Sequence, residues 1–197
     1  MVLIRPLLRA NQALVELNGY ASEAEMLLDA GLNDEALSVY DQALQKSPED
    51  SGLLYGRSLV HERMGRFPQA EADLRRILAT DKDDARAMNA LGYMLTVNTD
   101  RFEEARKLIE SALQRSPDDA AVIDSMGWVL FKLGDYGAAR DYLERAYRLE
   151  QDPEIAAHLV DVRWQLGERD SALELLREAL AANPESRHLQ EVNERLS

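Results

Sequence analysis

Five short stretches decide how this chain reads: Gly31-Leu32-Asn33-Asp34-Glu35-Ala36, Gly65-Arg66-Phe67-Pro68-Gln69-Ala70, Thr99-Asp100-Arg101-Phe102-Glu103-Glu104-Ala105, Gly134-Asp135-Tyr136-Gly137-Ala138-Ala139 and Gly167-Glu168-Arg169-Asp170-Ser171-Ala172. Their closing alanines stand at 36, 70, 105, 139 and 172, in steps of 34, 35, 34 and 33 residues. A period this constant marks an array of like units rather than one large core.

Each alanine opens an amphipathic stretch. Leu37, Tyr40, Ala43 and Leu44 follow Ala36, and Leu108, Ile109, Ala112 and Leu113 follow Ala105. Steps of three and four place these side chains on one helical stripe. A second helical stretch precedes each turn, over residues 53–64, 85–97, 120–133 and 153–166, so the unit is helix, short turn, helix. Gly31, Gly65, Gly134 and Gly167 stand where the first helix ends and a left-handed residue is usually needed. Ser47-Pro48-Glu49-Asp50, Ser116-Pro117-Asp118-Asp119 and Asn183-Pro184-Glu185-Ser186 close second helices, because proline cannot continue the hydrogen-bond ladder. Asp100 followed by Glu103 reads as a capping box.

Composition agrees. Charged residues make up 30% of the 197 and hydrophobic residues 46%, the balance of a folded chain. Good helix formers dominate and β-branched residues are sparse. The net charge of -13 opposes binding to a phosphate backbone and so excludes nucleic acid as a natural partner. It reads first as solvation of a helical surface, with a basic partner as the alternative. There is no cysteine, which removes disulfides, thiolate catalysis and cysteine-ligated zinc together. No apolar run reaches the ~18 residues of a membrane span, and the apolar start Met1-Val2-Leu3-Ile4 is too short for a signal peptide. The amino end therefore reads as a start inside a longer protein.

The residues resemble the tetratricopeptide repeat family over roughly positions 17 to 186. Its pattern of a large residue, Leu-Gly and a large residue in the first helix, then alanines and proline in the second, is matched by Ile123, Met126-Gly127, Leu130, Gly134, Tyr136, Ala139, Leu143 and Ala146. It recurs in Met88, Leu91-Gly92, Leu95, Phe102, Ala105, Ile109, Ala112 and Pro117, and in Leu159, Gly167, Ala172, Leu176, Ala179 and Pro184. Departures are Ala24, Ser58 and Val160 at the small position of the other repeats, Ile77 for an alanine, Lys82 for a proline, and one extra residue around 96–99. The resemblance implies an all-α solenoid of about five repeats at 18–50, 51–84, 85–118, 119–152 and 153–186. Residues 1–17 then form the second helix of a truncated preceding repeat, which could pair two copies as a homodimer, and residues 187–197 form a capping helix that covers the last apolar face.

In this family the first helices line an inner groove. Mapped here, the partner-binding residues are Tyr55, Leu59 and Arg63 (with Glu62) in the second repeat, and Arg86, Asn89 and Tyr93 (with Thr96) in the third. The fourth supplies Asp124, Trp128, Phe131 and Lys132, and the fifth His158, Asp161 and Trp164 (with Gln165). Tyr93, Trp128, Phe131 and Trp164 carry this expectation, since large aromatics bring contact area at little entropic cost. The competing reading makes them core between repeats. The lysine, arginine and asparagine clamp that related domains use for acidic chaperone tails is absent: its positions hold Ala21, Glu25, Gly56, Arg86 and Ala90, and only Arg86 suits it.

No catalytic constellation appears. His61, His158 and His188 fall in separate repeats, and there is no phosphate loop, nucleophile elbow or metal-ligand spacing. The expectation is a non-enzyme without cofactor or metal that binds another protein or an extended peptide. The runs Asn89-Ala90-Leu91-Gly92-Tyr93, Asp124-Ser125-Met126-Gly127-Trp128 and Pro153-Glu154-Ile155-Ala156-Ala157-His158 resemble bacterial outer-membrane repeat lipoproteins. That likeness implies an adaptor of a periplasmic carboxyl-terminal processing protease, tethered by a lipidated cysteine upstream of Met1. The alternatives are a cytosolic chaperone partner or assembly factor, and the repeat half of a larger enzyme. The register itself is testable: Ala139→Arg places a long cation at a predicted helix crossing, so its melting temperature falls well below wild type. Unchanged thermal unfolding would refute this alignment.

Overall fold

The computed structural model describes residues 19–196, and among them every regular element is a helix. Residues 1–17, expected to form the half-repeat, lie outside the described residues. The helices are α1 (19–29), α2 (Asn33–Lys46), α3 (Ser51–Arg63), α4 (Phe67–Thr80), α5 (Ala85–Asn98), α6 (Phe102–Arg115), α7 (Ala120–Lys132), α8 (Tyr136–Leu149), α9 (Pro153–Gln165), α10 (Arg169–Ala182) and α11 (Arg187–Leu196). The described residues divide into two compact units with the boundary between Ala87 and Met88, and α5 begins in the last residues of the first.

The turns inside hairpins follow from four glycines. Gly31, Gly65, Gly134 and Gly167 have φ between 69° and 86°, the left-handed region that L-side chains avoid. The turn after α7 shows how each works: Gly134 N–H donates to Phe131 O and Asp135 N–H donates to Leu130 O, so two orphan carbonyls of the helix end are satisfied. The turn before α6 has no glycine. There the Thr99 hydroxyl donates to Leu95 O at 2.7 Å and the Asn98 amide to Met94 O at 3.1 Å, so side chains close what glycine closes elsewhere. The expected Asp100–Glu103 capping box does not form. Arg101 is the N-cap of α6 and makes no side-chain cap bond; Asp100 precedes it, at the place the turn glycines Gly31, Gly65, Gly134 and Gly167 hold in the other repeats. Asp50, Asp119 and Asp152 do cap α3, α7 and α9 through their carboxylates.

In the first unit, α3 packs between α2 and α4. Tyr40 of α2 is fully buried and its hydroxyl lies under Gly56, where any Cβ would strike it. Burial pushes the Tyr40 pKa up to about 12, with the charge of Glu25 adding to the effect. Arg57 on α3 joins the three helices, bonding Asp73 of α4 at 2.6 and 2.8 Å and Asp41 of α2 at 2.7 Å. Asp73 is 3% exposed, so this fork supplies the compensation a buried carboxylate requires.

In the second unit the hairpin halves meet at small residues. A Cβ on Gly92 would lie 2.5 Å from Ile109 and 3.1 Å from the Ala105 carbonyl; one on Gly127 would lie 2.5 Å from Leu143 and 3.2 Å from the Ala139 carbonyl. Ala105, Ala112, Ala139, Ala146, Ala172 and Ala179 are each at most 5% exposed, and they recur at seven-residue steps within their helices. The core then runs through Leu143, Leu159, Val162, Leu176 and Leu189, with α11 covering α9 and α10.

An arginine ties each of two inter-repeat turns to the following hairpin. Arg76 donates to Pro48 O at 2.8 Å in the first unit, and Arg145 to Pro117 O at 2.6 Å in the second. Two glycine substitutions separate packing from propensity. Gly127→Ala costs about 1–3 kcal/mol through overpacking, whereas Gly137→Ala, which meets nothing within 4 Å on α8, gains up to about 1 kcal/mol. Thermal melts of the two variants move in opposite directions, and a neutral Gly127→Ala would exclude the close crossing.

Candidate functional site

The mapped inner-helix residues fall in both units. In the first, the Arg86 guanidinium lies 4.1 Å from the centroid of the Tyr55 ring, so this aromatic face already carries a cation. Leu59 is 38% exposed, and Arg63 donates to Leu28 O at 2.5 Å.

In the second unit α7, α9 and α11 enclose a cleft of about 290 Å³ lined by Trp128, Phe131, Lys132, His158, Asp161 and Arg195, together with Ala157, His188, Glu191 and Val192. Asp119 caps α7 and Asp152 caps α9, which begins with proline at a position that needs no N–H. From these fixed starts, Trp128, Phe131 and Lys132 occupy the ninth, twelfth and thirteenth residues of α7, one face of the helix. Asp161 occupies the ninth residue of α9.

His158 breaks the frame. The α9 residue equivalent to Asp124 is Ala157, and His158 comes one place later, turned by about 100° around the helix. That turn aims it at α7. Its Nδ1 lies 3.0 and 3.1 Å from the two carboxylate oxygens of Asp124. The expectation that Asp124 and His158 present free groups to a partner is therefore corrected: they are 5% and 7% exposed and serve each other. Thr96, also placed on the groove, is buried and donates to Gly92 O.

An aromatic stack covers this pair. The Trp128 ring stacks on His158 with centroids 4.0 Å apart and planes 16° apart, and on Phe131 at 4.8 Å and 8°. Phe131 meets Tyr136 at 5.4 Å, Tyr93 tilts against His158 at 6.3 Å, and the Tyr93 hydroxyl donates to the Glu154 carboxylate. The Lys132 ammonium sits 4.9 Å from the Trp128 ring. Trp128 and Phe131 remain half-buried, so they are neither sealed core nor free platforms.

Trp164 is not part of the cleft. It is the counterpart of Phe131 and packs on the core near the α9–α10 turn, with the Arg169 guanidinium 4.5 Å from its ring. Asn89 lies apart from the cleft too, its Oδ1 buried without a hydrogen-bond partner among the described residues. Arg195 is the residue the sequence reading missed. It bonds Asp161 at 2.6 Å and forms the α11 wall. The signal was present: Leu59, Tyr93, Trp128, Asp161 and Arg195 recur at steps of 34, 35, 33 and 34.

The charges of the cleft act on one another. Burial works to depress the His158 pKa, but the charge and hydrogen bond of Asp124, with Glu154 and Asp161 behind it, outweigh burial and leave the imidazole above its ordinary value. Burial also raises Asp161, against the pull of Arg195, His158 and Lys132.

Comparison with known proteins matches this architecture. The tetratricopeptide repeat family model fits residues 27–92 and 130–195, and a second model of the same description fits residues 83–152. The chain belongs to the tetratricopeptide repeat family. It is similar to a TPR repeat-containing protein of Pseudomonas aeruginosa, at 42% identity over 140 residues, which is 71% of this chain and 24% of that protein. The type IV pilus assembly protein PilF of the same organism is 25% identical over 141 residues, 70% of this chain and 56% of PilF. The chain thus spans about a quarter and about half the length of these relatives. A thermophilic TPR protein of Thermus thermophilus superposes with a TM-score of 0.79 at 23% identity, covering 91% of this chain and 98% of that one, which shows the fold. The fold class is that of all-α tetratricopeptide solenoids, scaffolds that bind other proteins and are generally non-catalytic. Among the described residues no helix is long and apolar enough to cross a membrane.

A raised histidine pKa fixes the sign of one pH effect. The stabilisation from Asp124–His158 is complete below the ordinary histidine value of about 6.5 and is lost as pH rises through the higher folded value. Thermal melts across this window show a larger fall for wild type than for Asp124→Asn, in which the charge that holds the proton is gone. Equal falls would detach the pair from stability.

Proposed function

We propose that the α7–α9–α11 cleft is the partner-binding site of this chain, and that the partner is a polypeptide. The supporting observation is the stack of half-buried Phe131 and Trp128 on buried His158 in the cleft, which Lys132, Asp161 and Arg195 also line. Rigid aromatics beside mixed charge suit peptide recognition: the rings supply area, and the charges select direction. Tyr55, Leu59, Arg63 and Arg86 form a second, separate candidate surface in the first unit.

The finer reading is an adaptor. The resemblance of 89–93, 124–128 and 153–158 to outer-membrane repeat lipoproteins supports a scaffold that recruits or activates a periplasmic carboxyl-terminal processing protease. Its place would be the periplasmic face of the outer membrane, with the tether upstream of this segment. Cell fractionation of the full-length protein tests the location.

Titration calorimetry of the purified chain against that protease tests the role. Trp128→Ala weakens binding by about 2 kcal/mol or more, roughly thirtyfold, while Trp164→Ala, outside the cleft, leaves it nearly unchanged. Equal loss in both variants would move the site elsewhere, and no heat with wild type would remove the protease reading.

A further inference from the structure

α7 and α9 are also joined to their neighbours by apolar residues, among them Ile123, Ile155 and Leu159. A buried ion pair between them adds little net stability over an apolar contact of the same shape. Yet Asp124 and His158 lie buried there, with both carboxylate oxygens within 3.1 Å of Nδ1. The His158 ring is also the base on which Trp128 stacks, and Trp128 carries Phe131. A titratable group thus supports the floor of the cleft.

We propose that the proton on His158 sets the packing of the Phe131–Trp128–His158 stack, so that the cleft offers a firm aromatic floor when His158 is protonated and a looser one when it is not. This rests on the reading of the cleft as a polypeptide-binding site and adds its regulation.

The charged surroundings define the two states. α7 faces His158 with Asp124 and, at the rim, Lys132; α9 contributes Glu154 and Asp161; α5 contributes Tyr93, which is bonded to Glu154; α11 brings His188, Glu191 and Arg195 to the same cleft. α8 and α10 meet α9 through Arg163 instead, by Glu144 and the Ser171 carbonyl. With the proton on, the imidazolium answers Asp124 and lies as a cation against the indole face, an attraction the neutral ring lacks. With the proton off, Nδ1–H can still donate to Asp124, but Asp124, Glu154 and Asp161 are left around a neutral ring, offset by Arg195 and Lys132. The balance of these groups holds the proton to a pH above the ordinary histidine value.

The test needs no partner, so its outcome is separate from whether the cleft binds a polypeptide. The chain has two tryptophans, and Trp164→Phe leaves Trp128 as the only indole. Fluorescence and acrylamide quenching of this variant are followed from about pH 5.5 to about pH 9. Trp128 is expected to be dim and shielded at the acid end, where an imidazolium in contact quenches it, and brighter and more accessible at the alkaline end. The midpoint lies above about 6.5, and Asp124→Asn in the same background shifts it downward. Proton NMR titration of the three histidine rings in wild type reads the His158 midpoint directly, without a substitution at the pair. A flat Trp128 signal, an NMR midpoint at or below about 6.5, or a midpoint that Asp124→Asn leaves in place would overturn the proposal. Loss of partner binding with the titration intact would overturn the cleft reading alone.

Discussion

At Gly127 the backbone of α7 approaches α8 so closely that a single added carbon would meet Leu143 and the Ala139 carbonyl, and Gly92 repeats this against Ile109 and Ala105. That approach is the constraint behind the second unit. It fixes the angle and register of the α5–α6 and α7–α8 hairpins, because a backbone crossing at this distance has no room to slide. Once a hairpin is fixed, its remaining apolar face must be covered by another element, and a stack of hairpins with a short covering helix meets that need. Tyr40 beneath Gly56 supplies a comparable constraint in the first unit, there between the second helix of one hairpin and the first helix of the next.

A fixed hairpin turns sequence position into spatial column. Trp128, Asp161 and Arg195 occupy the ninth place of α7, α9 and α11, and all three line one cleft. Phe131 and Trp164 share another column, and so do the residues beside them, Tyr136 next to Phe131 and Arg169 next to Trp164. The frame is constant while the chemistry at each place varies. One class of scaffold can therefore present different surfaces without changing its packing.

Charge is handled in two ways. At the surface, pairs such as Arg106 with Glu103 and Glu110 are exposed and contribute little. Inside, each buried carboxylate of this kind has a cation built to meet it: Asp73 has Arg57, and Asp124 has His158. The first partner is charged at any pH of interest, whereas the second is not, which separates a permanent joint from one that responds to its surroundings.

Much of this was legible in the chain itself. The period of about 34 residues, the four turn glycines and the alanines at 36, 70, 105, 139 and 172 determined a helical-hairpin array, because close backbone approach and left-handed turns tolerate few residue types. Local propensity and spacing also gave the helix bounds to within a few residues. What they could not give was the partner of each side chain. His158 reads with the open face, yet one extra step around α9 turns it to Asp124; Trp164 reads with Trp128, yet Arg169 covers it elsewhere; and Gly56 gives no sign of the tyrosine packed against it. Those outcomes depend on which helices lie side by side and at what rotation. Periodicity specifies the stripe a helix buries; only packing decides what stands across from it.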